Sequence, residues 1–298
     1  MLAAAIRLSL GPLPIDDAYI SFRYARNLTG GLGLVYNPGE AVFGTSTPLF
    51  TLLLSVLSAL LPTHELPDLA LWLNCLADGL VSAVIVRVGR RLGMSGVIAL
   101  AAGLIYALSP VAIRYSIGGM ELSVVSLLAL AAYHAHIDDR RTLAAHLAGA
   151  AFLGRPDALL VGALIVLSAS LLSRRLDYKT VGVLLLWVLP VFLGLWLGYG
   201  NPLPHSVIAK GHAVYRMAPL TNLRQGVVFF GGLFLAGPLG LGAEGFWTSL
   251  TPLSAPLMVL ALAPQGYLWL VGARAAGRTD QRSLVLPLHS ALLLAAYS

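Results

Sequence analysis

Apolar runs of near-span length recur along this chain, broken by short basic loops and by two long polar stretches. A helix needs about 20 consecutive apolar residues to cross a bilayer. On that pattern, spanning helices are predicted at about 68 to 87, 94 to 110, 120 to 137, 142 to 155, 157 to 173, 180 to 199 and 250 to 272. A further apolar run starts at 283. Runs at 46 to 61 and 226 to 242 are short and rich in Gly, Ser or Pro, and read as re-entrant or interfacial helices. The opening "MLAAAIRLSLGPL" is apolar but too short to span, and Arg7 interrupts it. It reads as the tail of a first span that begins upstream, and "SLVLPLHSALLLAAYS" likewise stops inside an apolar run. The expected fold is all-α: a polytopic transmembrane helical bundle, one truncated domain over 1–298.

Composition agrees with that reading. Charged residues make up 11% of the 298, against about 25% in soluble domains, so a water-soluble enzyme is excluded. The formal charge of +6 would suggest a nucleic-acid partner in a soluble chain. Here it follows from loops: "RVGRR", "DDRR", "SRRLDYK" and "ARAAGRTDQR" hold 11 of the 19 Lys and Arg. By the positive-inside rule these loops are cytoplasmic. The long stretches 14 to 67 and 200 to 224 then face outward, provided that 46 to 61 and 226 to 242 do not cross fully. A plasma-membrane location with function on the external face is expected. The single cysteine, Cys75, rules out an internal disulfide. No HExxH, P-loop, cysteine cluster or basic–aromatic pattern is present, so no nucleic-acid partner is expected.

The hairpin between Arg141 and Arg175 is short for its task. Its 33 intervening residues measure about 50 Å as helix, whereas two crossings need about 60 Å plus a turn. The tip "GRPD", residues 154 to 157, should therefore lie below the external surface, with its charges sheltered from lipid. Arg155 and Asp157 are read either as a capping pair, with Pro156 restricting their approach, or with Arg155 as a cation on the floor of a site.

Several polar groups are candidates for chemistry. Asp16 and Asp17 open the first long loop, and Asp16 is a good N-cap for a helix through about Leu28. That helix would turn Ile20, Tyr24 and Leu28 toward the bundle, with Arg23 and Arg26 projecting elsewhere. Glu121 lies at a span mouth after "SIGGM". Asp16 and Glu121 could share a divalent cation such as Mg, Mn or Ca, since hard cations prefer carboxylate oxygens, or act as base and orienter. Two capping acids in water are the plainer alternative. Asp78, inside a span with Asn74 one turn earlier, is either functional or a helix–helix hydrogen bond. The loop "GNPLPHSVIAKGHAVYR" offers His205, Lys210 and other cations to an anionic head group, or is simply solvated. His134, His136 and His146 read as interfacial.

Taken in order, "DDAYISFRYARNL", "VYNPGE", "FGTSTPLFTLLL", "GGMEL", "GRPDALL" and "GNPLPHSVIAK" resemble the C-type-fold membrane glycosyltransferases that use polyprenyl-phosphate sugars. The resemblance runs from about 15 to 212 and is nearest to bacterial arabinofuranosyltransferase B-like proteins. Aminoarabinose and protein mannosyltransferases are more distant. It implies that Asp16 is the catalytic or metal-binding acid, with Asp17 beside it, and that Glu121 is the second acidic position. Arg155 and Lys210, with His205, would lie by the carrier phosphate. It further implies inverting transfer of a sugar from the lipid carrier to a hydroxyl of a glycan, lipid or protein acceptor. The resemblance also leads to the expectation that the C-terminal soluble domain of such enzymes is missing from this stretch. The rival expectation from another class is a transporter or flippase with Asp78, Asp157 and Arg155 as a relay. A noncatalytic lipid-binding relative is a third.

Overall fold

The computed structural model describes residues 1–40, 42–202, 204, 273–274, 277–278 and 280–289. Every regular element among them is helical: α1 (Leu2–Leu10), α2 (Ala18–Thr29), α3 (Pro48–Leu60), α4 (Leu66–Arg91), α5 (Gly96–Leu108), α6 (Pro110–Ile117), α7 (Leu122–Ile137), α8 (Arg141–Gly154), α9 (Leu159–Ser173) and α10 (Tyr178–Tyr199). A 3-10 turn, Pro156–Ala158, leads into α9, and another covers Gln281–Leu284. The architecture is a helical membrane bundle. By length and composition α4, the continuous segment Pro156–Ser173 and α10 can each cross a membrane, and α5 with α6 makes a fourth if that pair is one span. The runs expected at 226 to 242 and 250 to 272 lie outside the described residues.

The 94 to 110 span departs from expectation. Helix α5 ends at Leu108 and the chain bends by 48° into α6. Ser109 is the cause: its hydroxyl accepts from the Ala112 N–H, and Pro110 takes the first helical position, where a missing N–H costs nothing. Helix α3 has 13 residues, about 20 Å, short of a full crossing, as its sequence suggested. It is bound to α2 through hydroxyls. Ser21 meets Thr47 at 3.1 Å, Thr45 meets Thr47 at 3.2 Å, and Ser55 donates to the Ala25 carbonyl. The threonines of "FGTSTPLFTLLL" are thus buried structural groups.

Small residues let the central helices approach closely. Ala129, Ala132 and Ala135 of α7 pack with Ala144, Ala145, Ala148 and Ala151 of α8 in one buried cluster, the packing that lipid-embedded helices use. Also on α8, a Cβ on Gly149 would stand 2.4 Å from the Trp187 ring of α10. No side chain fits at that distance.

Helix α1 is docked into the bundle by a polar knot. Arg7, fully buried, donates to Asp78 of α4 at 2.5 Å and to the carbonyls of Ala3 and Ala107 at 2.9 Å. The Tyr106 hydroxyl donates to the other Asp78 oxygen at 2.7 Å. Asp78 is therefore the helix–helix partner that one of its two sequence readings allowed. Arg7, which looked like a flaw in an apolar run, is its counter-ion.

The basic loops gather at one end of the bundle. Arg91 pairs with Asp138, Arg141 and Arg282 with Asp139, and Arg141 with Asp177. The Arg141 hydrogen bond holds the Asp139 carboxyl below its ordinary range against the opposing effect of burial, with Arg282 adding to the lowering. Among the histidines expected at an interface, His136 is instead buried and bonded to Ser168 at 2.9 Å. Its face of α7 packs inward because α8 and α9 cover it.

Candidate functional site

The end opposite the basic loops carries the acidic candidates. Helix α7 starts there at Leu122, α8 ends there at Gly154, and the 13 to 18 segment lies against the α6–α7 turn. The Leu13 N–H donates to the Ile117 carbonyl at 2.8 Å and the Ile15 N–H to the Gly118 carbonyl at 3.0 Å. Gly119, at φ +73°, completes the approach: a Cβ there would stand 2.8 Å from Phe22 and 3.3 Å from Ala18 of α2. Asp16 thus begins one residue beyond a backbone bond to Gly118, and Glu121 lies three residues after that glycine. The two acids, 105 positions apart in sequence (121 − 16), open the same corner of the bundle.

Their surroundings differ. Asp16 and Asp17 are exposed. The N-cap of α2 is Asp17 rather than Asp16, in αR conformation and without a side-chain capping bond. The Ile15–Gly118 bond sets the chain's entry into α2, so the capping geometry expected of Asp16 does not form. Helix α2 runs on to Thr29, and Gly30 ends it.

Glu121 is 2% exposed. Its Oε1 accepts from Arg155 Nη1 at 2.8 Å. Arg155 also donates from Nε to both Asp157 oxygens, at 3.0 and 3.3 Å, and from Nη2 to Oδ2 at 3.1 Å. Pro156 does not keep these side chains apart. Arg155 is extended (φ −156°, ψ 135°), and the following 3-10 turn brings Asp157 back toward it. Burial works against the guanidinium's charge, but the Asp157 hydrogen bonds and the two carboxylates outweigh it and hold its pKa above the ordinary arginine value. The Arg155 side chain is still 30% exposed, and its four hydrogen bonds to two carboxylates come from three nitrogens, leaving part of its five-donor fork unused. Arg155 is thus both paired and open.

The corner is recessed. Asn74 of α4 donates to the Ser116 and Met120 carbonyls at 2.9 Å, which fixes its level beside Glu121. Helix α4 continues eight residues beyond Asn74 to Leu66, about 12 Å further along its axis. Glu121 and Arg155 lie below that rim.

A cavity of about 420 Å³ lies alongside on α2, lined by Tyr19, Phe22, Arg23, Arg26, Asn27 and Tyr36. Reading the sequence sent Arg23 and Arg26 elsewhere; they line this cavity. Arg23 donates to the Tyr36 carbonyl at 2.8 Å and to Asn37 at 2.7 Å, and its guanidinium lies 4.4 Å from the centre of the Tyr36 ring. Asn27 holds the Val35 and Tyr36 carbonyls, and Asn37 donates to Glu40. The "VYNPGE" turn is laced to α2 by these bonds. The spacing of Tyr19, Arg23 and Arg26, at helix positions i, i+4 and i+7, was the available signal.

A divalent cation shared by Asp16 and Glu121 does not fit this donor set. One Glu121 oxygen already takes Arg155. Among the described residues no three His, Cys, Asp or Glu side chains gather to hold an ion. His205 and Lys210 lie outside the described residues. The relay of the rival transporter reading is not assembled around Asp78, whose partners are Arg7 and Tyr106.

The chain is similar to a terminal beta-(1->2)-arabinofuranosyltransferase from Mycobacterium tuberculosis, with 29% identity over 255 residues, covering 76% of this chain and 40% of the relative. The chain thus spans less than half the length of that protein. No family model matches the sequence. No solved structure matches it. The similarity supports a relationship to a glycosyltransferase.

Proposed function

We propose that this chain is the membrane-embedded part of an inverting glycosyltransferase that takes a sugar from a polyprenyl-phosphate carrier on the external face of the membrane. The observation that carries the reading is the recessed corner where exposed Asp16 opens beside the Glu121–Arg155 pair. The similarity to an arabinofuranosyltransferase supports it.

In this reading the acceptor hydroxyl oxygen attacks the anomeric carbon as the bond from that carbon to the phosphate oxygen breaks. The sugar passes through an oxocarbenium-like state, as in other glycosyl transfers. The acceptor proton goes to the Asp16 carboxylate, and polyprenyl phosphate leaves with the bonding electrons. Asp16 suits that role because it is exposed and has no ion-pair partner among the described residues, so accepting a proton breaks no fold contact. A positioned base of this kind contributes about 10²- to 10⁴-fold.

Glu121 acts as a positioning residue: it is buried and spends its charge on Arg155. Arg155 turns its unused donors to the carrier phosphate, and fixed donors of this kind stabilise a leaving charge well. Two carboxylates already face Arg155, so the triad is net negative. Phosphate binding therefore needs the further cations of the 200 to 216 loop, Lys210 and His205 among them. No step is routed through a metal.

The test is transfer from a radiolabelled polyprenyl-phosphate arabinose or mannose by the full-length protein in lipid nanodiscs. A labelled glycoside that depends on Asp16 supports the reading. Carrier movement across the bilayer without glycoside formation would replace it with the flippase.

A further inference from the structure

The cavity on α2 is not used by the proposed reaction centre, and its chemistry is distinct from it. We infer that it is the docking site for the saccharide portion of the acceptor; this rests on the glycosyltransferase reading and names where its second substrate lies. Its volume of about 420 Å³ falls within the range of small-molecule sites, about 300–1,000 Å³.

Three features of the lining select a sugar. Tyr19 is 54% exposed, so its amphipathic ring offers a face to sugar C–H groups and a hydroxyl to sugar oxygens, while Tyr36, its ring packed by Arg23 and Tyr24, forms another part of the wall. Arg23 is committed: its guanidinium holds the Tyr36 carbonyl and Asn37 and lies by the Tyr36 ring. It therefore shapes the wall, with two of its three nitrogens already engaged. Arg26 is exposed and its guanidinium has no hydrogen-bond or ion-pair partner among the described residues, leaving its donors for ligand hydroxyls. The wall is also held in place before any ligand arrives, because Asn27, Arg23 and Asn37 bind the turn at five points. Binding then costs little ordering of the loop.

Position supplies the link to the reaction. Tyr19 lies three residues after Asp16, and its N–H donates to the Asp16 carbonyl at 3.1 Å. A saccharide seated on Tyr19 extends toward the N-terminal end of α2, where the base accepts the hydroxyl proton.

The experiment uses the full-length protein in nanodiscs and a soluble arabinofuranosyl oligosaccharide as probe, with binding read by calorimetry and by saturation-transfer NMR. Tyr19→Ala and Arg26→Ala change exposed side chains and are expected to keep the fold. Each should weaken probe binding at least tenfold and raise the acceptor KM by a similar factor, with the donor KM unchanged. Asp16→Asn should bind the probe like the wild type. Wild-type protein that binds the probe but never transfers sugar would end the glycosyltransferase reading and leave the saccharide site standing. Unchanged probe affinity in both variants overturns the inference. So does retained affinity combined with lost binding to phosphatidylglycerol vesicles, which would assign the cavity to lipid head groups.

Discussion

Asp16 and Glu121 are both acids near one corner, and their environments split their roles. Asp16 is exposed and unpaired among the described residues, so replacing it leaves no stranded partner. Asp16→Asn is expected to lower transfer by at least 100-fold with a thermal unfolding midpoint close to wild type; substantial turnover would remove Asp16 from the mechanism. Glu121 is held in the opposite way. Arg155→Ala strands its buried carboxylate. Breaking a buried pair costs about 3–5 kcal/mol, and the partial exposure of Arg155 puts this case at the lower end. Adding Glu121→Gln to Arg155→Ala should recover most of the lost stability, because a neutral amide needs no counter-ion. Unfolding of both variants in one detergent checks this. If the double variant is no more stable than Arg155→Ala, the pair is not what holds the tip. Arg155→Lys should keep the Glu121 contact, lose the bidentate hold on Asp157, and retain weakened donor binding.

At the scale of elements, α1 and the α4–α5 pair depend on one buried charge pair. Arg7 and Asp78 are both fully buried, so neither can lose its partner cheaply. Arg7→Met is expected to destabilise the protein by about 3–5 kcal/mol. Arg7→Met combined with Asp78→Leu should regain much of that loss, since apolar replacements of a buried pair are often near neutral. Thermal unfolding of the three forms decides it. Activity of the double variant is informative too. Sugar transfer that survives the loss of Asp78 is incompatible with a proton relay through that residue.

For the whole molecule, charge divides the bundle into two ends. Arg91, Arg141 and Arg282 pair with Asp138, Asp139 and Asp177 at one end, and Asp16, Glu121 and Arg155 lie at the other. The positive-inside rule then predicts the orientation. On a background with Cys75 replaced by Ala, cysteines placed at 174 to 179 should react only with reagents that reach the cytoplasm. Cysteines at 31 to 39 should react with external, impermeant reagents. External labelling of the 174 to 179 loop would put the acidic corner in the cytoplasm and end the external-carrier reading.

Sequence by itself determined the helical class and much of the segmentation, because a bilayer tolerates only helices or closed barrels and demands long apolar runs. It also showed that the 142 to 174 hairpin is short for two crossings, since helix rise converts residue count directly into length. It marked Asp16, Glu121 and Arg155 as candidates, and the basic loops as one side. Tertiary structure decided which charges meet. Local sequence gave no reason to join Arg7 to Asp78, 71 residues away, or Arg155 to Glu121 across 34. A buried charge takes whichever opposite charge packing brings to it, and packing is non-local. Likewise, only the fold broke the 94 to 110 run at Ser109 and set the α6–α7 turn where Ile15 hydrogen-bonds. The cavity on α2 was hidden for the same reason. One of its walls is Tyr36 on the turn, brought back over the helix by bonds from Arg23 and Asn27, so it exists only once those hydrogen bonds form.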